Sequence, residues 1–466
     1  MKNSLKEGEQ IQVHFDKGTL VLTDIPETTF PLIPGIKWDD RTQSFRAPAY
    51  CYREIVLTLR NNKANYKDHA RQFEPLSFSL KEKIEPRPYQ VQAMKSWLDK
   101  GSYGIVALPT GSGKTILAVL LIEKIKRPTL IHVPTIDLMH QWYSVLKKYF
   151  KIEIGLLGGG YHEIKPLTVA TYDSALLQVA YRGNQFGFAV YDECHHLPGE
   201  QFQYVAISSI APFRLGLTAT PERTDGRESL LYTLSGNLSF QAHIHELKGQ
   251  ALAPYTVITR EVDMSFEERE EYEAARKCYT DFLKKEQIDF SHPRGWNTFL
   301  WKASRSLGGR QAFKAYHIQK QLSQASTAKI AEIWDLVQQH RGDRIIIFTQ
   351  DNEMAYRIGR LFYMPVLTHH TKLKEREFFL DSFRNGSYTV LITSKVLNEG
   401  VDVPEANVAI VVSGSGTVRE HVQRLGRILR GRPGKQAYLY ELVSKSTGEY
   451  FVNKRRRQHH AYQLSQ

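Results

Sequence analysis

The segment Leu108-Pro109-Thr110-Gly111-Ser112-Gly113-Lys114-Thr115 joins one apolar run, Tyr103 to Leu108, to another, ILAVLLIEK. Glycines at 111 and 113 let the backbone turn its N–H groups inward, and a helix beginning there adds positive potential. The loop is therefore fitted to hold phosphate oxygens. Lys114 then reaches the β and γ phosphates and Thr115 holds Mg²⁺, so ATP with Mg²⁺ is the expected ligand; Pro109, Thr110 and Ser112 complete the loop. Leu108 stands where such loops usually carry their first glycine.

A second group follows the apolar run FAVY, which ends in Asp192 and Glu193. Paired carboxylates at the carboxyl end of a parallel strand lie where ligands bind. Asp192 is expected to ligate Mg²⁺ through water, and Glu193 to orient and deprotonate an attacking water. Cys194, His195 and His196 come next, but adjacent side chains diverge and no second cluster has the spacing of a tetrahedral zinc site. His195 is expected instead to link the nucleotide site to the turn Thr218-Ala219-Thr220.

The third group lies near the C-terminus. Gly400 and Asp402 come just after the strand-like YTVLIT, and HVQRLGRILR puts Gln423, Arg427 and Arg430 on an expected helix. Arg427 and Arg430, at i and i+3, face the same way.

These groups need rigid elements behind them. From about Lys81 the runs GIVALP, TLIHVP, LTVAT, FAVYDE and RLGLTAT are each followed by a helix-length stretch, the pattern of a parallel βα sheet. Between Glu261 and about Ser326 the texture becomes charged, aromatic and helical; RIIIFT, YTVLIT, NVAIVV and AYLYEL then restore βα alternation. Residues 1–80 alternate apolar and polar in IQVHF and GTLVLT and read as a small α+β module. The expected layout is a module over 1–80, one α/β lobe over 81–245 and a second over 246–466 that includes a helical insertion at about 261–326.

Composition sets outer bounds. The 466 residues, 42% hydrophobic, suffice for two or three cored domains. A net charge of +13 favours a polyanionic partner. From Ser413 onward there are eleven Lys or Arg against three Glu, and KRRR at 454–457 can touch phosphates. Three cysteines without a C-x-x-C pair point to neither a disulfide framework nor a zinc ribbon and fit a reducing cytosol. No run approaches the ~18 apolar residues of a membrane span, and the first ten residues are too charged for a secretion signal.

The order LPTGSGKT, DECH, TAT resembles the superfamily 2 helicases. APFRLGLTATPERTDGR, DECHHLP, VLNEGVDVP and SGSGTVREHVQRLGRILR resemble, more narrowly, the XPB family of DNA helicases in its short archaeal form. The resemblance implies two RecA-like lobes, a damage-recognition-like N-terminal module that engages DNA, and a thumb-like insertion. It implies movement 3′ to 5′ on duplex or forked DNA in excision repair or transcription opening, a nuclease partner, and a place in the prokaryotic cytosol near the nucleoid. By the same resemblance Arg87 and Gln90 in RPYQ read adenine, Pro134, Thr135 and Thr171 hold the tracked strand, and Gly400, Asp402, Gln423, Arg427 and Arg430 serve ATP from the second lobe. The family's Arg-Glu-Asp triad is here Arg223-Thr224-Asp225, and loss of the acidic middle member implies weaker strand separation. Two other readings stay open from the residues alone: a DExH-type RNA helicase, since such lobes track either backbone, and a nucleotide-gated scaffold without turnover.

Overall fold

The computed structural model describes residues 10–26, 29, 32–220, 226–243, 245–247, 253–290, 292, 294–394, 406–413 and 436–450. They form two compact units that divide between His243 and Ile244.

The first unit opens with β1 (Ile11–Asp16), β2 (Thr19–Thr23), β3 (Lys37–Asp39), β4 (Ser44–Pro48), α1 (Tyr52–Asn61) and β5 (Tyr66–Asp68). The sheet order is β3-β4-β2-β1-β5, antiparallel except where β5 joins β1. Alternation explains its one-sided core. Ile11, Val13, Leu20 and Leu22 point inward onto Ile55, Val56 and Leu59 of α1. Ile210, far along the chain, completes the same core. The Arg53 guanidinium donates to the Pro212 carbonyl at 2.9 Å, and the buried Asn184 amide donates to the Ala70 carbonyl at 2.9 Å. The module therefore shares its core with the lobe next to it in the chain.

The rest of this unit runs α2 (Pro88–Asp99), β6 (Tyr103–Ala107), α3 (Lys114–Ile125), β7 (Thr129–Val133), α4 (Ile136–Tyr149), β8 (Ile154–Gly158), β9 (Tyr161–His162), β10 (Leu167–Thr171), α5 (Tyr172–Arg182), β11 (Phe188–Asp192), α6 (Gln203–Ile207), β12 (Phe213–Thr218), α7 (Glu228–Ser235) and β13 (Leu238–Gln241). The sheet order is β13-β6-β12-β11-β7-β10-β8-β9, parallel throughout except for the β8–β9 hairpin. Central strands such as β10 and β11 are buried at every residue, which is why they read as unbroken apolar runs. One charge is built into this core. Arg214, 1% exposed, donates to the carbonyls of Ala206 and Ser209 at the end of α6, Leu234 near the end of α7, and Ala211, at 2.6 to 3.2 Å. A fixed cation there satisfies the outward carbonyls and dipoles of two helix ends.

The second unit has β14 (Tyr255–Val262), α8 (Phe266–Lys285), α9 (Gly295–Arg305), α10 (Leu307–Gln324), α11 (Thr327–Gln339), β15 (Ile345–Phe348), α12 (Asn352–Phe362), β16 (Val366–Leu367), α13 (Leu373–Asn385), β17 (Val390–Thr393), β18 (Val408–Val411) and β19 (Ala437–Ser444). Its described strands are all parallel, in the order β14-β19-β18-β15-β17-β16. Ile345, Ile347, Ile392, Val408 and Ile410 pack on Ile333, Leu336 and Ile358 of α11 and α12. The helical stretch α8 to α10 carries its own small core around Phe282, Phe299 and Ala312. It starts later than its composition implies: Glu261 and Val262 still belong to β14, and α8 begins only after Ser265 and Glu268 form a reciprocal N-terminal cap. The chain is accordingly α/β, with two parallel-sheet lobes, an N-terminal α+β module and a helical insertion. No described helix is long and apolar enough to cross a membrane.

Candidate active site

The carboxyl ends of β6, β11 and β12 are neighbours in the sheet and deliver the loop at 108–113, the pair Asp192–Glu193 and the turn at 218–220 to one edge. The Leu108 N–H donates to the Thr218 carbonyl at 2.9 Å, which fixes the first loop against the third. Gly111 and Gly113 have φ of +84° and +86°, so the loop needs residues without a Cβ penalty. Gly113 also lacks room: a Cβ there would lie 2.9 Å from Nε2 of Gln90. The loop ends where α3 begins at Lys114, whose Nζ donates to the Leu108 carbonyl at 3.3 Å and lies 3.7 Å from Oε1 of Glu193. Thr115 follows on the first turn of α3, half-buried.

Asp192 is 6% exposed. Its Oδ2 accepts the Trp142 indole N–H at 2.8 Å and its Oδ1 accepts the Glu193 N–H at 3.1 Å, while its own carbonyl accepts the Tyr172 hydroxyl at 3.0 Å. Burial, reinforced by the neighbouring Glu193 charge, pushes the Asp192 carboxyl above the usual carboxylate range against the pull of Lys114 and Trp142. Glu193 holds a left-handed backbone, φ +47°, a conformation that an L side chain occupies only at a cost. That twist turns its carboxylate toward Lys114. Nδ1 of His195 lies 3.5 Å from Oε2 of Glu193 and 3.3 Å from Oγ1 of Thr218, whose hydroxyl donates to the Thr220 carbonyl at 2.9 Å and accepts the Thr220 N–H. A continuous polar chain therefore runs from Lys114 through Glu193 and His195 to Thr218 and Thr220. Cys194 beside it is fully buried, and burial raises its thiol well above its ordinary value.

Arg87 and Gln90 stand at the start of α2. Gln90 is buried and engaged at both ends of its amide: its Oε1 accepts the Arg87 N–H at 2.9 Å and its Nε2 donates to the Gly113 carbonyl at 3.1 Å. Tyr89 donates to the Ser112 carbonyl, and Ser112 Oγ donates to the Pro109 carbonyl at 2.7 Å. The first turn of α2 is thus a strut under the phosphate loop. Pro134 and Thr135 close β7 and Thr171 closes the adjacent β10. The two threonines cap α4 and α5, Oγ1 accepting from Leu138 N and from Ser174 N, each at 3.3 Å. Two helix N-termini therefore stand side by side at one edge. Arg223, Asp225, Gly400, Asp402, Gln423, Arg427 and Arg430 lie outside the described residues.

Tyr89, Trp142, Tyr172 and Arg214 did not stand out in the sequence. Only Tyr89 carried a signal, its place inside RPYQ; an isolated aromatic or arginine within an apolar run reads as ordinary core.

Comparison with known proteins gives three family matches. Residues 13–70 match the Xeroderma pigmentosum group B helicase damage recognition domain, 83–223 the type III restriction enzyme res subunit, and 315–464 the ERCC3/RAD25/XPB C-terminal helicase. The DNA 3′-5′ translocase XPB2 of Sulfurisphaera tokodaii is 40% identical over 426 residues, 91% of this chain and 96% of that protein. This chain belongs to the XPB family. The DNA 3′-5′ helicase XPB of Kineococcus radiotolerans is 32% identical, and the match covers 78% of this chain but 60% of that longer protein. The yeast general transcription and DNA repair factor IIH helicase/translocase subunit XPB/SSL2 is 27% identical, covering 82% of this chain and 44% of its own. Among solved structures, the Pyrococcus furiosus Hef helicase domain matches with a TM-score of 0.51 at 18% identity, over 79% of this chain and 98% of that one, a likeness of fold. XPB-family membership implies the use of ATP.

Proposed function

We propose that this XPB-family chain is an ATP-driven motor that moves 3′ to 5′ on DNA and opens or remodels duplex or forked DNA in repair or transcription. The observation that carries this reading is the cluster at one sheet edge of the first unit: Lys114 Nζ 3.7 Å from Glu193, beside a buried Asp192, at the start of α3. Relatives named as DNA 3′-5′ translocase and helicase supply the substrate class and the direction.

The residues fit MgATP. Gly111 and Gly113 turn a loop of N–H groups at the start of α3, and the buried Thr110 hydroxyl has no hydrogen-bond partner among the described residues. In this reading the loop from Pro109 to Gly113 cradles the phosphates, Lys114 donates to the β and γ oxygens, and Arg87 and Gln90 flank the base. Thr115 and Asp192 would hold Mg²⁺, which when bound supplies charge that polarises the terminal phosphate. Glu193 orients the attacking water and accepts its proton. Its cramped backbone presents the carboxylate, and Nδ1 of His195 lies 3.5 Å from the second oxygen. Because His195 also touches Thr218, a shift of Glu193 reaches the Thr218–Thr220 turn and through it the segment with Arg223 and Asp225. Pro134, Thr135 and Thr171 sit at paired helix N-termini suited to backbone phosphates of the tracked strand. Gly400, Asp402, Gln423, Arg427 and Arg430 supply the other half of the ATP site in this proposal. A prokaryotic cytosolic setting near the nucleoid and a nuclease partner complete it.

The test is ATP hydrolysis by the purified protein alone and with duplex DNA, single-stranded DNA or RNA, with Glu193→Gln as control. Stimulation by DNA that the variant loses by at least about a hundredfold, the lower end of what a lost general base costs, supports the motor. Stimulation by RNA alone, or no turnover under any condition, overturns it.

A further inference from the structure

Two adjoining hollows open at the base of the helical insertion, both within the second unit. One, about 460 Å³, is faced by Tyr272, Arg276 and Tyr279 of α8 and by Tyr316 and Gln319 of α10. The other, about 360 Å³, is faced by His317, Arg357, Asp351 and Glu353. Lys320, Gln324 and Gln350 belong to both, so the two are one groove with an aromatic half and a charged half. Each wall follows from helical spacing: 272, 276 and 279 share one face of α8, and 316, 319, 320 and 323 share one face of α10. The volumes fall in the range of small-ligand sites, about 300 to 1000 Å³.

The charges are unequally committed. Asp351 caps α12, its Oδ1 accepting from Met354 N at 2.8 Å, and Glu449 at the rim pairs with the buried Lys329 at 2.6 Å. Arg276 is held by donating to the Tyr272 hydroxyl at 2.9 Å, and Arg357 donates to the Ala325 carbonyl at 3.3 Å. Lys320 faces both halves. Asp351, Glu353 and Glu449 balance Lys320, Arg276 and Arg357 along the walls, and Glu268 also draws on Arg357; Glu449 is matched by Lys329, and Lys320 makes no ion pair among the described residues, so Lys320 is the cation available to an anion. In the aromatic half the rings of Tyr279 and Tyr316 lie 5.4 Å apart at 47°, each also packed against Phe299, and both face the groove with the Gln319 amide beside them. Burial pushes the Tyr279 hydroxyl up to about 12, so it remains a donor.

We propose that this groove binds a nucleotide moiety, its base against Tyr279, Tyr316 and Gln319 and its phosphate against Lys320 and Arg357. A flat ring with polar edges suits tyrosines and an amide, and an attached anion suits the adjoining cations. The nucleotide can come from a DNA strand, which rests on the motor reading above, or from a free mononucleotide, which does not.

The experiment measures fluorescence anisotropy with the full chain and three labelled probes: a short oligothymidylate, the same backbone without bases, and AMP. AMP is tested in an Arg87→Ala/Gln90→Ala background, which removes the two side chains proposed to flank the base in the first-unit site. Tyr279→Leu should weaken oligothymidylate binding about five- to a hundredfold, the scale of one lost stacking contact, and change abasic binding less than twofold. Lys320→Met should weaken both strands. Gln319→Ala, a milder change, should lower base-bearing binding alone, and the thermal midpoint of each variant reports folding. If only AMP binding responds, the occupant is a free nucleotide. Wild type that binds neither strand but loses AMP through these changes leaves the groove standing and sinks the DNA reading. Oligothymidylate and AMP binding unchanged in all folded variants, or base-bearing and abasic strands weakened equally by Tyr279→Leu, overturns the proposal.

Discussion

Gly113→Ala tests whether the first turn of α2 holds the phosphate loop in shape. Two costs combine. Alanine at φ +86° occupies the left-handed region, at about 1 to 2 kcal/mol. Its Cβ would also sit 2.9 Å from Gln90 Nε2, closer than side-chain carbons approach, so the amide must withdraw and its bond to the Gly113 carbonyl, 3.1 Å with glycine in place, is lost. A buried amide left without its acceptor costs about 1 to 3 kcal/mol. If the loop escapes by leaving its native shape, nucleotide affinity falls with the competent fraction. A total of roughly 2 to 5 kcal/mol then corresponds to about thirty- to several-thousandfold.

The contribution of Gln90 is separable by a double-mutant cycle. Gln90→Ala alone removes the strut and should weaken binding of a fluorescent nucleotide by about five- to tenfold, the net value of a typical hydrogen bond. In that background Gly113→Ala meets no amide, so its further effect should shrink to the backbone cost, about five- to thirtyfold. The assay is a nucleotide titration of the four proteins. Effects of Gly113→Ala that are equal in the two backgrounds, or a single variant that binds within threefold of wild type, would refute the strut.

Arg214→Leu removes the cation from four carbonyls, three of them at two helix ends, and takes from Ser209 and Ala211 the donor their carbonyls use, so it should destabilise the first unit by about 2 to 6 kcal/mol at about 1 to 3 kcal/mol for each carbonyl left unpaired; urea titration followed by fluorescence should place its midpoint well below that of wild type, and an unchanged midpoint would contradict the account of how α6 and α7 are held. His132, 1% exposed with Nδ1 3.1 Å from the Val190 carbonyl, is pushed down to about 4 by burial. Its folded value lies below its unfolded one, so its contribution to stability is present above about pH 6.5 and is lost as pH falls toward 4, on the order of 3 kcal/mol. His132→Phe should therefore lose less stability than wild type between pH 6.5 and 4.5, and parallel profiles would count against it. Thr224→Glu restores an acidic residue between Arg223 and Asp225; strand separation in a forked-duplex assay should rise while duplex-stimulated ATP hydrolysis stays within about twofold, and unwinding that does not change would remove the reason for linking this triplet to strand separation.

How much of the molecule was legible in its sequence depended on how many constraints each residue type satisfies. Gly111, Gly113 and Lys114 announced themselves because a loop without Cβ atoms followed by a lysine at a helix start has few uses, and the flanking strand and helix were legible because central parallel strands are buried on both faces. β14 was not legible as a strand to its end. It lies at the edge of its sheet, and near its end Arg260 and Glu261 face solvent, so the apolar run fades before the strand does. The shared core of the module at 1–80 escaped for another reason: Ile210, Asn184 and Pro212 reach it from more than a hundred residues away, and no local pattern marks such a contact.

The same distinction divides the active site. Residues proposed to touch phosphate or water carry unusual chemistry and were visible, whereas those that hold them, Tyr89, Gln90, Trp142 and Tyr172, do so with ordinary side chains placed by the fold. Gln90 crosses that line. Resemblance gave it to the adenine, yet both ends of its amide are engaged by Arg87 and Gly113. A base bound there must either use the second lone pair of Oε1 and the second N–H of Nε2 or take a bond from the loop. The second course would let adenine, rather than phosphate alone, report its arrival to Gly113 and Lys114, and Gln90→Ala should then weaken discrimination between ATP and an unrelated triphosphate as well as affinity for either.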